Sequence, residues 1–112
     1  MFEIKNQVIK MTKGDSASLK VDLKKSNGSD YVMQSGDTLT MTVRKVIGSS
    51  ILMQIVSETN TINISPLDSK NLSVGSCVYD IELKTASGDV FTVIGLGENM
   101  TKNMIVYAEV TE

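Results

Sequence analysis

The sequence predicts an all-β fold, an antiparallel β-sandwich of about nine short strands with one helical turn near residues 66–71. Most segments alternate between apolar and polar residues with a period of two, which is typical of half-buried strands. Strong turn signals containing Gly, Asn or Asp separate these segments. The segments are short, and one of them carries the signals of a helix start. A small closed barrel has the same sequence pattern and stays the alternative architecture.

Length and composition predict a single globular domain, residues 1–112. Hydrophobic residues make up 41%, charged residues 21%, and the net charge is -2. This leaves no basic excess for binding nucleic acid, and the apolar runs are too short to span a membrane. We expect synthesis in the cytoplasm without a signal peptide. The single cysteine, Cys77, and most of the seven methionines are expected to fill the core.

Two strands are expected before the first strong turn. Residues 2–11 have strand character, with a break near residues 6–7. Residues 18–25 alternate cleanly, because Leu19, Val21 and Leu23 are separated by charged residues. Those three side chains are therefore expected to point inward.

The dipeptide Asn27-Gly28 predicts a hairpin, since both residue types tolerate positive φ. A two-residue loop at this position pairs Leu23 with Val32 on one face. The same loop pairs Lys25 with Asp30.

The middle of the chain predicts two longer strands. Residues 38–44 alternate between threonine and large apolar side chains, a pattern that favours a strand. Residues 51–56, ILMQIV, are apolar on both faces except at Gln54. We expect this strand either to be covered on both sides or to present Leu52 and Val56 to a partner.

A short strand over residues 61–64 is followed by a helix start. Ser65 is the expected N-cap, Pro66 the first helical residue, and Asp68 lies near the positive end of the helix. The next strand follows soon after Gly75, so the helix is expected to last only one or two turns.

The stretch 72–96 predicts a second hairpin, with Cys77, Tyr79, Ile81 and Leu83 on its apolar face. A three-residue loop with Gly88 left-handed in a bulge keeps each face uniform. The predicted pairs are Leu83 with Phe91, Ile81 with Val93, and Glu82 with Thr92. After a loop rich in Gly and Asn, residues 104–110 are the last predicted strand.

The residues give little sign of catalysis. The chain has no histidine, which excludes imidazole bases and histidine metal ligands. Asp80 and Glu82 share the wet face of one strand without an aromatic platform for a sugar. The Gly-Asp pairs at residues 14, 36 and 88 each precede a strand, and we interpret them as turn chemistry rather than as a cation site. We predict no enzyme activity, no cofactor and no metal.

Two stretches resemble a known family. One contains KGDSASLKV (13–21) and GDTLTMTVRK (36–45); the other contains VYDIEL (78–83) and the turn SGDV (87–90). Together they are similar to small Ig-like β-sandwich proteins of tailed phages and prophages of Gram-positive bacteria, in particular the N-terminal domain of the phage baseplate upper protein. The resemblance implies an Ig-like sandwich that serves as a non-enzymatic virion part.

The resemblance also implies the partners, which are copies of the chain and other virion proteins. We expect a role in a tail or baseplate, in a fibre or connector, or in capsid decoration, with no nucleic acid, membrane or small-molecule substrate. These residues contain no C-terminal stem or receptor-binding head, which favours a stand-alone part. The alternatives are a module that binds a host-surface carbohydrate and, less favoured, an enzyme that uses carboxylates alone.

Three segments are candidates for the partner interface. They are the N-terminal edge, the strand that is apolar on both faces, and the last strand. The candidate residues are Phe2, Ile4, Leu52, Gln54, Val56, Ile105 and Tyr107.

Overall fold

Strands dominate the part of the chain that the structure describes, which confirms the all-β class. The computed structural model describes residues 8–25, 27–94 and 103–108. The first half of the strand predicted for residues 2–11, with Phe2 and Ile4, lies outside these ranges. The described elements, in chain order, are β1 (Ile9–Thr12), β2 (Ala17–Lys20), β3 (Thr38–Arg44), β4 (Ile51–Ser57), β5 (Thr61–Ile64), α1 (Pro66–Ser69), β6 (Gly75–Lys84), β7 (Val90–Ile94) and β8 (Met104–Tyr107).

The strands pack as two sheets. The larger sheet has the order β1-β8-β6-β3-β4, with β7 also paired to β6, while β2 and β5 form the second sheet. Buried side chains from both sheets share one core, for example Met41 on β3 and Ile62 on β5. The described strands therefore form a sandwich rather than a closed barrel. The order β8-β6-β3-β4 against β2-β5 corresponds to strands G-F-C-C′ against B-E of an immunoglobulin-type sandwich.

The central strand β3 shows why these residues form sheet. Leu39, Met41 and Val43 are completely buried, and the threonines between them lie on the opposite face. Methionine fills much of the remaining core, as predicted. The buried methionines are Met11, Met41, Met53 and Met104.

The pairing of the first and last strands corrects one prediction. β1 runs parallel to β8, with Ile9 opposite Met104 and Thr12 opposite Tyr107, so the sheet is mixed rather than wholly antiparallel. Turn residues specify only strands that a tight hairpin joins, and such strands are antiparallel. β1 and β8 are far apart in sequence, so no turn signal could indicate their direction.

The helical turn after β5 is confirmed. Ser65 caps α1, its side chain accepting a hydrogen bond from the Asp68 N–H, while the Asp68 carboxylate accepts one from the Ser65 N–H. The Ser69 hydroxyl donates to the Asp15 carbonyl at 2.6 Å. This bond fastens α1 to the turn between β1 and β2.

The second hairpin forms with the predicted loop. The Gly88 N–H donates to the Thr85 carbonyl and the Thr85 N–H to the Asp89 carbonyl, both at 2.9 Å. The φ angle of Gly88 is 97°. The pairs of Leu83 with Phe91 and of Glu82 with Thr92 are confirmed.

One predicted pair in this hairpin is wrong. Ile81 lies opposite Ile94 rather than Val93, because the register shifts between Ile81 and Glu82. The extra residue of the bulge lies on β7. The shift leaves Val93 buried in the core.

The first hairpin departs further from prediction. Lys24 pairs with Asp30, and the Tyr31 N–H donates to the Leu23 carbonyl. The predicted pairs of Leu23 with Val32 and of Lys25 with Asp30 are therefore wrong by one residue. The strand predicted for residues 18–25 shortens to β2, and the return arm forms a single bridge rather than a strand. The inward orientation of Val21 and Leu23 is nevertheless confirmed, since both are buried.

An asparagine side chain fills a gap along β6. On the edge of β6 away from β3, β7 pairs with residues 81–84 and β8 with residues 75–77. Between them, the Tyr79 N–H donates to Asn103 Oδ1 at 2.8 Å, and Asn103 Nδ2 donates to the Tyr79 carbonyl at 2.9 Å. The side-chain amide thus replaces a missing peptide group in the ladder.

Candidate functional site

The outer face of the six-stranded sheet brings side chains from several described strands together on one surface. Register aligns its side chains in rows across β4, β3 and β6. One row contains Gln54, Thr42 and Asp80, and Gln54 Nε2 donates to Thr42 Oγ1 at 3.0 Å. A polar face of this kind can offer hydrogen bonds to a partner without any rearrangement of the backbone.

The connection between β3 and β4 makes this face concave. The Arg44 guanidinium donates to the Ser49 carbonyl, and Ile47 and Gly48 line the same concavity as Val78. Val78 is only 7% exposed although it lies on the outer face. The concavity has a volume of about 430 Å³.

The electrostatics of the concavity centre on Asp80, which is half-buried. Burial raises the pKa of this carboxyl above its usual value; the neighbouring Glu82 carboxylate raises it further, and Arg44 opposes both. Asp80 and Glu82 are consecutive on one face of β6. Their side chains therefore point the same way, as the sequence indicated, but Asp80 is less solvated than predicted.

The direction of the backbone N–H and C=O groups at the free edge of β4 follows from the hydrogen bonding of the neighbouring strands. The N–H and C=O of Tyr79 point away from β3, toward Asn103. In an antiparallel ladder these groups alternate in direction from residue to residue. The groups of Asp80 therefore point toward β3, where Asp80 pairs with Thr42.

The alternation continues from β3 into β4. Since the backbone groups of Thr42 point to β6, those of Met41 point to β4, where Met41 pairs with Ile55. The N–H and C=O of Ile55 consequently point to β3. Those of Gln54 and Val56 point to the opposite edge of β4, which pairs with no other described strand.

The structure separates the predicted interface residues. Gln54 and Val56 lie on the outer face and on the free edge of β4, and Val56 is 62% exposed. Leu52 lies where the register of β3 and β4 shifts, and it packs against the core. Leu52 and Val56 therefore do not share a face of β4, because the bulge turns Leu52 toward the core.

The last strand lies inside the sheet. β8 pairs with β1 on one side and β6 on the other, so Ile105 and Tyr107 are not at an edge. Their side chains share the outer face with Gln54, since Ile105 pairs with Ser76 on the outward side of β6. β6 and β3 lie between the two groups, and the structure does not bring them into one patch.

A second concavity of about 450 Å³ lies between the first hairpin and the connection from β4 to β5. Charged side chains of both signs line it: Lys20 and Asp22 come from the chain that leads into the first hairpin turn and Glu58 from the connection. The exposed Val32 lines it as well. Most of its lining comes from loops, and only Lys20 belongs to a strand.

The described residues offer little for metal or thiol chemistry. They include no group of three or more side chains able to hold a metal ion. The Cys77 thiol is buried and donates to the Ser73 carbonyl at 3.4 Å, as expected for a core cysteine. No helix among these residues has the length and apolar character that crossing a bilayer requires.

Three polar residues are buried without having been predicted from the sequence, namely Ser69, Asn103 and Asp37. Asn103 completes the β6 ladder, and Asp37 accepts hydrogen bonds from the Tyr31 hydroxyl, the Gln34 N–H and the Ala86 N–H. The Gly-Asp turn signal located Asp37 at a turn but gave no sign of its partners. Nothing distinguishes Asn103 from the other polar residues of its loop, so no sequence signal could have identified it.

Comparison of the chain with protein-family models, with curated proteins and with solved structures gave no match.

Proposed function

We propose that this chain is a non-enzymatic structural protein of a tailed-phage or prophage virion, which acts through protein–protein contacts. The observation that carries the contact role is the free edge of β4. Gln54 and Val56 direct their backbone hydrogen-bonding groups away from β3 there, and both side chains are exposed. An exposed edge of this kind is a template for pairing with another chain.

The virion assignment is supported by the sequence resemblance of residues 13–21, 36–45 and 78–90 to Ig-like phage proteins. The strand order of the sandwich is compatible with that resemblance. The proposed places are a tail or baseplate, a fibre or connector, or a capsid-decoration layer. The chain is made in the bacterial cytoplasm and becomes part of the particle.

The virion assignment is tested on particles purified after induction of the prophage or infection by the phage that encodes the chain. Quantitative mass spectrometry is expected to find the chain in the particles at a fixed ratio to the major capsid protein. A chain that is abundant in the lysate and absent from washed particles contradicts the assignment.

A carbohydrate-binding module is the second candidate, favoured by the concave outer face. Thr42, Gln54, Asp80 and Glu82 supply hydrogen-bonding groups to this concavity. Titration with cell-wall polysaccharide of the host, followed by NMR, distinguishes the candidates. A binding module shows saturable shifts at these residues that Gln54→Ala weakens and the distant control Lys20→Ala does not.

A further inference from the structure

The two edges of the six-stranded sheet differ in how well they are protected against pairing. β1 is short and carries Lys10. β4 is longer and contains neither a charged residue nor a proline, and these are the usual devices that keep a sheet edge from pairing. Its irregularity is confined to the start of the strand, where the register shifts between Val43 and Arg44 on β3.

We propose that β4 pairs antiparallel with β4 of a second copy of this chain, with a two-fold axis at Ile55. The two six-stranded sheets then continue into one another. The inference rests on the proposed contact function and names its partner. Main-chain hydrogen bonds between strands supply the attraction, as in other cases of strand addition.

The direction of the free backbone groups determines the register. Only Gln54 and Val56 in the regular part of β4 direct their groups to the free edge. An axis at Ile55 pairs Gln54 of each copy with Val56 of the other, which gives two equivalent residue pairs. In each pair, the two residues exchange both N–H···O=C bonds. An axis at Gln54 instead leaves Val56 opposite the bulged Leu52, where a regular ladder cannot continue.

The side chains at this axis suit a second copy. Ile55 faces Ile55 of the other copy on the core side, where it is half-buried in the single chain. Gln54 lies beside Val56 on the outer side, so no charge meets a like charge at the axis. An isologous contact of this kind closes as a dimer, and a partner with another sequence gains none of this internal symmetry.

The expected dimer is weak. One pair of strands buries less surface than the roughly 1,200 Å² total of the smallest stable interfaces. High local concentration in an assembly compensates for weak single contacts. We therefore expect pairing in solution to depend on concentration.

Two measurements test the pairing. Light scattering coupled to size-exclusion chromatography, from about 10 μM to about 1 mM, is expected to show a mass rising from monomer toward dimer. Ile55→Cys is expected to cross-link under mild oxidation, because directly opposed non-hydrogen-bonded residues have Cα atoms about 4.5 Å apart. Cys77 is buried and leaves the new thiol as the reactive one. Gln54→Cys, one residue from the axis, is the matched control and is expected not to cross-link.

Edge variants complete the test. Val56→Pro removes a free N–H that the pairing with β3 does not use, so the chain is expected to fold and to stay monomeric. Val56→Lys is expected to do the same if the proline variant melts early. Val32→Lys, at another exposed valine, is expected to dimerise like the unmodified chain.

The contradicting outcomes separate this inference from the proposed function. Cross-linking at Gln54→Cys instead of Ile55→Cys overturns the register. Assembly that Val56→Pro and Val56→Lys leave unchanged overturns the β4 contact but keeps an assembly role. A monomer at every concentration, without cross-linking, overturns the pairing; the particle composition then decides the virion assignment separately.

Discussion

The two hairpin turns have the same geometry, yet only one of them leads into a ladder. In the first turn, the Gly28 N–H donates to the Lys25 carbonyl and the Lys25 N–H to the Ser29 carbonyl. The second turn repeats both bonds at residues 85–89. The glycines have φ angles of 89° and 97°, and both turns correspond to the bulged three-residue loop.

The difference arises in the residues that follow each turn. After the second turn, Leu83 and Phe91 lie opposite each other and pack into the core. After the first, the return arm leads through Val32, which is 71% exposed. Turn chemistry thus determines the local register, but it does not by itself determine whether the residues beyond the turn continue the ladder.

Asp37 connects the two regions. Its carboxylate accepts a hydrogen bond from the Tyr31 hydroxyl of the first hairpin. It accepts another from the Ala86 N–H of the second turn, at 3.0 Å. The return arm of the first hairpin is therefore held by a side chain instead of a ladder. The buried position of Asp37 fits this role, since a buried carboxylate requires hydrogen-bond donors.

The largest loss of stability is expected at Asn103, whose side chain completes the hydrogen bonding of β6 in the second hairpin. Asn103→Ala leaves the buried N–H and C=O of Tyr79 without these partners. At about 1–3 kcal/mol for each group, we expect a loss of roughly 2–6 kcal/mol in the free energy of unfolding, measured by urea denaturation. Asn63→Ala, which removes only an exposed bond to Ser18, is the control. A similar small loss in both variants contradicts the role of Asn103.

Truncating one apolar side chain in each hairpin compares how much core packing stabilises the two hairpins. Leu83→Ala removes a fully buried side chain from the second hairpin and is expected to cost about 2–5 kcal/mol. Val32→Ala in the first hairpin is expected to stay within about 0.5 kcal/mol. If denaturant unfolding shows equal losses of unfolding free energy in the two variants, burial of these side chains does not account for the difference between the hairpins.

The shared turn geometry predicts equal effects at its two glycines. Gly28→Ala and Gly88→Ala each place a Cβ in open space at positive φ, so each is expected to cost about 1 kcal/mol through backbone strain. Gly36→Ala is expected to cost more, since its Cβ lies 2.8 Å from Ala86 Cβ. A larger loss at Gly88 than at Gly28 in thermal melts indicates that the turns differ in energy despite their common hydrogen bonds.

The sequence predicted what local chemistry determines. Period-two alternation identified β3 and β6, and Gly88 identified a turn whose bulge keeps Leu83 opposite Phe91. Asn27-Gly28 indicated a turn, but the two-residue loop was wrong. Tyr31, Val32 and Met33 are consecutive apolar residues, so shifting the register by one residue still places an apolar side chain opposite Leu23.

Contacts between distant segments could not be predicted in the same way. The parallel pairing of β1 with β8, the position of Asn103 beside Tyr79 and the bulge at Leu52 depend on how separate elements pack. Among the candidate interface residues, Gln54 and Val56 come from the strand that was chosen because it is apolar on both faces, and both are exposed on the outer face of β4. The interior position of Ile105 and Tyr107 required the strand order.

The smallest effect is a difference in pH dependence between Asp37, which joins the hairpins, and Asp80, on the outer face. Hydrogen bonds from the Tyr31 hydroxyl and then the Gln34 N–H lower the pKa of Asp37. Its stabilising contribution is therefore present above the unfolded value of about 3.9 and is lost as the pH falls through the folded value. The pKa of Asp80 is raised, chiefly by burial, so its contribution is present below the unfolded value and is lost as the pH rises.

Melting curves from acid to neutral pH are expected to separate the two carboxyls. Asp37→Asn is expected to lower Tm at neutral pH, and its difference from the unmodified chain is expected to shrink as the pH falls below about 4. Asp80→Asn is expected to raise Tm slightly at neutral pH, because the neutral amide avoids the burial of a charge. A deficit in Asp37→Asn that stays constant across this range means that the shape of the side chain, rather than its charge, holds the two hairpins together.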